Sequence, residues 1–495
     1  MYILTHKIID FNIFFKKNVK ILTKNAKKTL FFHNYVYMNK IDFIQNCKKI
    51  HFIGIGGVSM SALAKFCLNL KVQVSGSDKV MSEELLKLQT MGVRIYLGHH
   101  RQSVIGKDLV VYSSAISSCC PELVSAVEKN IPIMSRGEFL GKILIGYKNC
   151  IAVSGSHGKT TATAMLSEIL IENGSNPTVF LGGQHKTYGN FRRGRKKYAI
   201  VEACEYKKNF LNITHSASVV LNIDDDHMDS YEDMQDMKNC FRRFIRDGLA
   251  LINADDENSN QIFNKTTSTF GIKKLATFNA KNLRCGVNGY SFDFYAYQKR
   301  LGRINLSVLG RHNVYNALAA GGMAYLYKIS FSAIKRGLEK FSGVNRRNEY
   351  LGKIFSARCY ADYAHHPKEI QATLSAYKAT DEKSLIIFQP HTFSRTRILI
   401  DDFVKTLGEV KNLIIYKTYS ARESFDEKGS AKHLYEELVN NGVSASYSEE
   451  PDDLAEKIED KVKTGIRRII VLGAGDIYDI SKQIILSFKT NKNFL

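Results

Sequence analysis

The stretch Val153-Ser154-Gly155-Ser156-His157-Gly158-Lys159-Thr160-Thr161 constrains this chain more than any other. An apolar strand, Cys150–Val153, runs into glycines, and Lys-Thr-Thr then opens a helix predicted over Ala162–Leu170. Strand, glycine turn and helix in that order form half of a crossover unit, which finds partner strands in a parallel sheet covered by helices. The loop also has a chemical preference. Backbone N–H groups at a helix start can surround phosphate oxygens. Lys159 adds a mobile positive charge for β- and γ-phosphates, and Thr160 offers a hydroxyl to Mg²⁺. Gly155, Ser156, His157, Gly158, Lys159, Thr160 and Thr161 are therefore candidate ATP ligands. The full phosphate-loop pattern would place glycine at 153, where this chain has Val153. A phosphate-facing lysine supports no core, so Lys159→Ala is expected to stop turnover and leave the fold intact.

The same alternation recurs on both sides. Apolar strands at 50–55, Val72–Ser75, Val93–Tyr96 and Leu109–Tyr112 precede the loop, with helical sequence between them. Tyr198–Glu202 and Ser218–Asn222 follow it, and Leu385–Phe388, Leu413–Tyr416 and Ile469–Leu472 lie further on. A chain of 495 residues exceeds a single core. The expected class is α/β, with three domains, each built on a mostly parallel sheet with flanking helices. Residues 1–37 read as an N-terminal extension that an upstream start codon would explain. Domains are expected at 38–148 (Rossmann-like), 149–341 (like a P-loop ATPase) and 342–495 (Rossmann-like).

Charge and cysteine usage narrow the function. Seven lysines against Asp10 alone put +6 of the +22 formal charge in residues 1–37. The remaining +16 forms no Arg-rich block and no aromatic-basic repeat, so no nucleic-acid partner is expected. Nine cysteines without a CxxC pair suit the reducing cytoplasm. No apolar run approaches the ~20 residues of a membrane span, so no membrane partner is expected. Monomer and homodimer both stay open.

Two acidic clusters follow strands of the central unit: Glu202-Ala203-Cys204-Glu205 and Asp224-Asp225-Asp226-His227-Met228-Asp229. The carboxyl ends of parallel strands are where ligands bind, and one or two carboxylates beside phosphates suffice for Mg²⁺. Near the start, Gly54-Ile55-Gly56-Gly57-Val58-Ser59 misses the third glycine of the dinucleotide fingerprint, while Asp78 lies where a ribose-binding acid would sit.

Taken in order, Gly-Ser-His-Gly-Lys-Thr-Thr, Asn-Ile-Asp-Asp-Asp-His-Met-Asp and Gly310-Arg311-His312-Asn313-Val314-Tyr315-Asn316-Ala317 resemble the Mur ligases of peptidoglycan synthesis. So do His51-Phe52-Ile53-Gly54-Ile55-Gly56-Gly57, Asp362-Tyr363-Ala364-His365-His366-Pro367, Gln389-Pro390-His391-Thr392-Phe393-Ser394-Arg395-Thr396 and Gly473-Ala474-Gly475-Asp476-Ile477. The resemblance runs from about residue 48 to 480 and implies a reaction. ATP phosphorylates the lactyl carboxylate of UDP-N-acetylmuramate, and the amine of L-alanine then displaces phosphate. It also implies roles. Thr160, Glu202 and His227 would hold the metal, although chemistry alone favours Asp226 over His227. His312, Asn313 and Asn316 would lie on the adenine side, with Arg346 and Asp362 also on ATP. Gly54, Gly56, Gly57, Ser59, Asp78, Ser113 and Arg136 would bind the UDP-sugar. Tyr363, His365, His391 and Arg395 would place the amino acid, with Lys159, His365 and Arg395 catalytic. Cys204, Ala361 and Asn348 depart from the family pattern. A recycling ligase that attaches a whole peptide, and a nucleotide-binding regulatory or nucleic-acid ATPase, remain as alternatives at this point.

Overall fold

The computed structural model describes residues 44, 46–225, 230–263, 266–286, 289–378, 383–421 and 423–490. The extension at 1–37 lies outside them. Cys47–Leu495 forms the unit described below.

The first sheet joins β1 (Lys49–Ile53), β2 (Gln73–Asp78), β3 (Arg94–Leu97), β4 (Leu109–Tyr112) and β5 (Ile133–Ser135). All neighbours are parallel, in the order β3-β2-β1-β4-β5. The order reverses between β1 and β4, which is where a doubly wound sheet opens a crevice at its carboxyl ends. Beneath it Glu122, fully buried, is held by His51 (3.1 Å), Ser77 (2.6 Å) and His99 (2.8 Å), as a buried carboxylate requires.

The second sheet has ten strands: β6 (Asn149–Ser154), β7 (Thr178–His185), β8 (Gly189–Arg192), β9 (Tyr198–Glu202), β10 (Ala217–Val220), β11 (Leu249–Asn253), β12 (Thr267–Gly271), β13 (Phe278–Gly286), β14 (Gly289–Ala296) and β15 (Lys299–Asn305). Its parallel centre, β13-β12-β11-β10-β6-β9-β7, carries an antiparallel strand at one end and an antiparallel pair at the other. Helix Lys159–Glu172 lies on this sheet, buried from Thr160 to Leu170. Helices Arg311–Leu326 and Phe331–Lys340 share its core. Helix Lys159–Glu172, buried nearly all round, takes the central place in it.

The third sheet, β16 (Glu349–Ile354), β17 (Ala357–Asp362), β18 (Ser384–Phe388), β19 (Leu413–Tyr416), β20 (Ala445–Ser448) and β21 (Arg468–Leu472), runs β16-β17-β21-β18-β19-β20. Only β16 is antiparallel within it. Strands such as Arg-Ile-Ile-Val-Leu and Leu-Ile-Ile-Tyr are buried along their whole length. Continuous apolar runs of this kind mark strands covered on both faces. The expected α/β class with mostly parallel sheets is borne out. The antiparallel additions β8, β14–β15 and β16 were not anticipated. Among the described residues, no helix is long and apolar enough to cross a membrane.

Candidate active site

The phosphate loop joins β6, at the middle of the second sheet, to helix Lys159–Glu172. Two of its glycines are required by conformation. Gly155 (φ +134°) lies against the Asn222 backbone, where a Cβ would meet nitrogen and oxygen at 3.0 Å. Gly158 (φ +83°) faces the Asn316 side-chain oxygen, and a Cβ there would approach it to 2.5 Å. Asn222 clasps the loop from below. Its side chain accepts from the His157 N–H (2.8 Å) and donates to the His157 carbonyl (3.1 Å), while its carbonyl takes the Ser156 N–H (3.1 Å). With those donors committed, the first-turn N–H groups, which no helix satisfies internally, are the ones a phosphate would use.

Lys159 folds back over the loop. Its ammonium donates to the carbonyls of Gly155 (2.6 Å) and Ser156 (3.0 Å) and to Glu205 (2.9 Å). Burial alone would lower its pKa, but Glu205 and Glu202 outweigh burial and push it upward. Thr160 donates its hydroxyl to Glu202 (2.8 Å), and the same carboxylate oxygen accepts the Gly182 N–H (2.8 Å). The structure thus brings together two of the three residues expected at the metal. A hydroxyl and a carboxylate are the hard oxygen donors Mg²⁺ prefers. His227, with Asp226, lies outside the described residues.

Of the residues expected on the adenine side, Asn313 and Asn316 are buried on one face of helix Arg311–Leu326. Asn316 donates to Asn313 (3.0 Å), and Asn313 donates to the Leu309 carbonyl (2.7 Å). His312, between them and Gly310, is exposed.

The third unit meets the loop through the start of helix Pro367–Lys378. Glu369 lies 3.2 Å from His157 Nδ1, 3.3 Å from His365 Nδ1 and 3.9 Å from an Arg347 nitrogen. It also accepts the His365 (3.2 Å) and His366 (3.4 Å) N–H groups. Lys368 pairs with Asp224 and, at 3.2 Å, with Asp225. His157 Nε2 in turn lies 3.3 Å from Asp224. Tyr363, His365 and His391 form a chain of ring contacts, with centroids at 5.3 and 5.5 Å. Burial, with His365 and Arg395 alongside, lowers the His391 pKa to about 3 and so keeps that ring neutral. Thr392 beside it adopts φ +68°, ψ 144°, a backbone state costly for threonine and concentrated at functional sites.

Arg346 and Asp362 face elsewhere. The Arg346 guanidinium lies over the Tyr478 ring (4.2 Å) and reaches Asp479 (3.2 Å) and the Gly475 carbonyl (3.4 Å), not the phosphate loop. Asp362 spends its oxygens on the N–H groups of Asn348 (2.8 Å) and Ala364 (2.9 Å).

This junction has a pH signature. Burial would lower the His157 pKa, but Asp224 and Glu369 raise it from its ordinary 6.5 to about 9. Its other neighbours are His366, with ring centroids at 5.7 Å, and, beyond the carboxylates, Lys368 and Arg347. A raised folded pKa gives stability that is complete below pH 6.5 and lost as pH rises through about 9. Asp224, lowered from 3.8 to about 2 by His157 and Lys368 against its burial, contributes above pH 3.8 and fails as pH falls through about 2. Thermal unfolding followed from pH 6 to 10 should show the alkaline loss, and His157→Asn should remove it.

In the first unit, Gly54 (φ +81°), Gly56 and Ser113 line the switch-point crevice. Asp78 accepts the Gly56 N–H (2.9 Å), which fixes the turn before Gly57 and helix Val58–Asn69. Ser59 and Arg136 leave this cluster. They line a cavity shared with Gly182, Glu202 and Cys204 of the second unit.

Three residues in this site were missed from sequence. Asn222 was read as the last residue of a strand, but β10 ends at Val220, which releases Asn222 to clasp the loop. Glu205 lay in a recognised acidic cluster without an assigned partner. Glu369 carried no signal beyond an acid in the first turn of a helix.

The comparisons with known proteins agree in all three units. The Mur ligase catalytic-domain profile matches residues 49–148, the middle-domain profile 153–324 and the glutamate ligase domain profile 346–475. UDP-N-acetylmuramate–L-alanine ligase of Clostridium beijerinckii is 41% identical over 448 residues, covering 88% of this chain and 97% of that protein. The protein of the same name from Acetivibrio thermocellus is 39% identical, covering 88% and 96%. The crystal structure of UDP-N-acetylmuramate–alanine ligase from Thermotoga maritima superposes with a TM-score of 0.79 at 28% identity, over 90% of this chain and 99% of that one. With similarity spanning every unit in order, the chain belongs to the Mur ligase family.

Proposed function

We propose that this chain joins L-alanine to the lactyl carboxylate of UDP-N-acetylmuramate, consuming ATP and giving UDP-N-acetylmuramoyl-L-alanine, ADP and phosphate in the cytoplasm. The first unit (38–148) holds the UDP-sugar, the second (149–341) ATP and the third (342–495) the amino acid. The observation that carries the reading is the cavity between the first two units. Arg136 and Ser59 from one side and Glu202 from the other would set a carboxylate carried by the UDP-sugar beside the phosphate loop. Relatives about 40% identical that bear this activity's name support the choice of substrates. Nothing in the site calls for a nucleic acid, and monomer and homodimer serve it equally.

A carboxylate is a poor electrophile, so it must first be activated as an acyl phosphate. Thr160 and Glu202 would hold Mg²⁺, which when bound would supply charge neutralisation to the phosphates. Lys159 leaves Glu205 for the transferring phosphoryl group, and the helix start orients it, since phosphoryl transfer asks mainly for position and charge. In the third unit Arg395 offers a planar fork to the α-carboxylate of alanine. His365 accepts the proton that the attacking ammonium must lose, with His391, already neutral, beside it. Approach of the third unit keeps water from the acyl phosphate.

Purified protein given ATP, Mg²⁺ and UDP-N-acetylmuramate, with and without L-alanine, tests this directly. Phosphate release that requires both substrates is the expected result. Release with neither, or none from folded protein under any combination, would overturn it. Arg395→Ala should raise the KM for L-alanine about tenfold to a hundredfold, the worth of a charge-assisted hydrogen bond, with the KM for ATP unchanged. An unchanged alanine KM would remove Arg395 from the site.

A further inference from the structure

Among the described residues, Glu369 is a carboxylate that touches both His157 of the phosphate loop and His365, one of the residues proposed to receive the amino acid. One oxygen faces His157 at 3.2 Å and the other faces His365 at 3.3 Å, while the His365 and His366 N–H groups fix its position. Its side chain is 13% exposed, so these contacts form away from bulk water. His157 is itself tied to the loop by Asn222 on both sides of its peptide, at 2.8 and 3.1 Å. Glu369 therefore joins the loop directly to the His365 ring, whose Nδ1 also lies 2.9 Å from the Tyr363 carbonyl. Lys368 holds the same helix to Asp224 and Asp225 separately. Docking of the units thus has a second support, and Glu369 is spared for a finer role.

The geometry points to Glu369 as a positioning residue that sets the amine-side cluster in register with the phosphate loop, so that the amino group captures the activated carboxylate before water does. This rests on the ligase reading above. In the productive step the amine nitrogen forms a bond to the acyl carbon, and the carbon–oxygen bond to phosphate breaks. Phosphate leaves with the electron pair; of the two protons the ammonium nitrogen loses, one passes to an imidazole and the other to the departing phosphate. In the wasteful step water adds at the same carbon and returns the free carboxylate and phosphate. Both release one phosphate, and only the first yields an amide. Registration therefore appears in their ratio.

Glu369→Gln in the full chain keeps the shape and removes the charge. With ATP, Mg²⁺, UDP-N-acetylmuramate and L-alanine, wild type should release one phosphate per amide. In the variant, amide formation should fall about a hundredfold, the scale of a misplacement near 1 Å. Phosphate release should fall less, so that the ratio rises severalfold, while the KM for ATP stays within about a factor of two. Glu369→Asp, which keeps the charge on a shorter arm, should restore part of the ratio. A ratio that stays at one in Glu369→Gln, or rates that drop together in proportion to the folded fraction seen by circular dichroism, would overturn the inference. Should the Gln variant fail to fold, the ratio in Glu369→Asp decides alone: raised supports the coupling, unity rejects it. Failure of wild type to release phosphate would instead bring down the ligase reading, an outcome visible before any variant is made.

Discussion

Lys159→Ala is expected to lower turnover about a thousandfold, the effect of removing a charge aimed at a transferring phosphoryl group. The structure changes one part of what sequence implied for this variant. Lys159 is paired at 2.9 Å with Glu205, whose side chain is 1% exposed. Deleting the lysine strands that carboxylate, and breaking a buried pair from one side costs about 3–5 kcal/mol. The single variant should therefore fold but unfold at lower denaturant. Lys159→Met combined with Glu205→Gln should recover most of that stability and none of the turnover. Denaturant midpoints and single-turnover rates for both proteins separate the two effects. A double variant as inactive as the single one, yet as stable as wild type, is the outcome that assigns Lys159 to chemistry. Restored turnover in the double variant would show that the lysine matters only for neutralising Glu205.

Glu202→Gln is expected to cost about a hundredfold or more, the range seen when one preorganised electrostatic partner is lost. The amide keeps the size and can still accept from Thr160 and the Gly182 N–H, whose bonds to Glu202 are each 2.8 Å. It loses the charge that would draw a divalent cation to the phosphates. A second readout follows. Thermal stabilisation of wild type by ADP should grow with Mg²⁺ concentration, and in Glu202→Gln that dependence should flatten. Unaltered Mg²⁺ dependence would move the metal away from this carboxylate and toward the strand-end acids beyond Asp224.

What could be read in the sequence was local. Strands such as Leu413–Tyr416 announce themselves because a strand covered on both faces must be apolar throughout. The phosphate loop is legible because backbone conformation and ligand chemistry demand the same few residues in consecutive positions. The antiparallel arm Gly289–Asn305 was missed although Phe292 and Phe294 alternate with Asp293. Its period is clear, but its place at the end of a ten-stranded sheet depends on pairings the local pattern does not encode. Glu369 was missed for the same reason, since its partner His157 is 212 residues away. Adjacent arginines posed a different problem. Arg346 and Arg347 are equivalent in sequence, and only the backbone at φ +60° and +50° on Arg346 and Asn348 sends one guanidinium toward Tyr478 and the other toward Glu369. Asn348, one of the departures from the family pattern, tolerates that left-handed conformation better than most residues, and its side chain meets the Tyr377 hydroxyl. Nothing in the structure explains Ala361.

The two junctions of the central unit differ in where their ion pairs lie. Toward the first unit, Gly141 of helix Arg136–Leu144 touches the backbone of Asn212 so closely that a Cβ would stand 2.1 Å from its carbonyl oxygen. Phe66 packs on Phe180 and Phe191, and Asn190 reaches the Val58 carbonyl at 2.6 Å. Toward the third unit, main chain also meets main chain where the Asn345 N–H donates to the Gln184 carbonyl (2.9 Å), Leu309 packs on the third unit's core, and Lys368, Glu369 and His157 add side chains whose torsions can turn while their charges still attract. Main chain against main chain has essentially one pose, whereas long charged arms have many. The ion pairs are the part of the second junction that can turn while it stays in contact. The attraction of these ion pairs is also the part of that junction that dissolved salt can weaken. Rising ionic strength should therefore loosen the Lys368–Asp224 and Glu369–His157 contacts while leaving the main-chain and apolar contacts of both junctions in place.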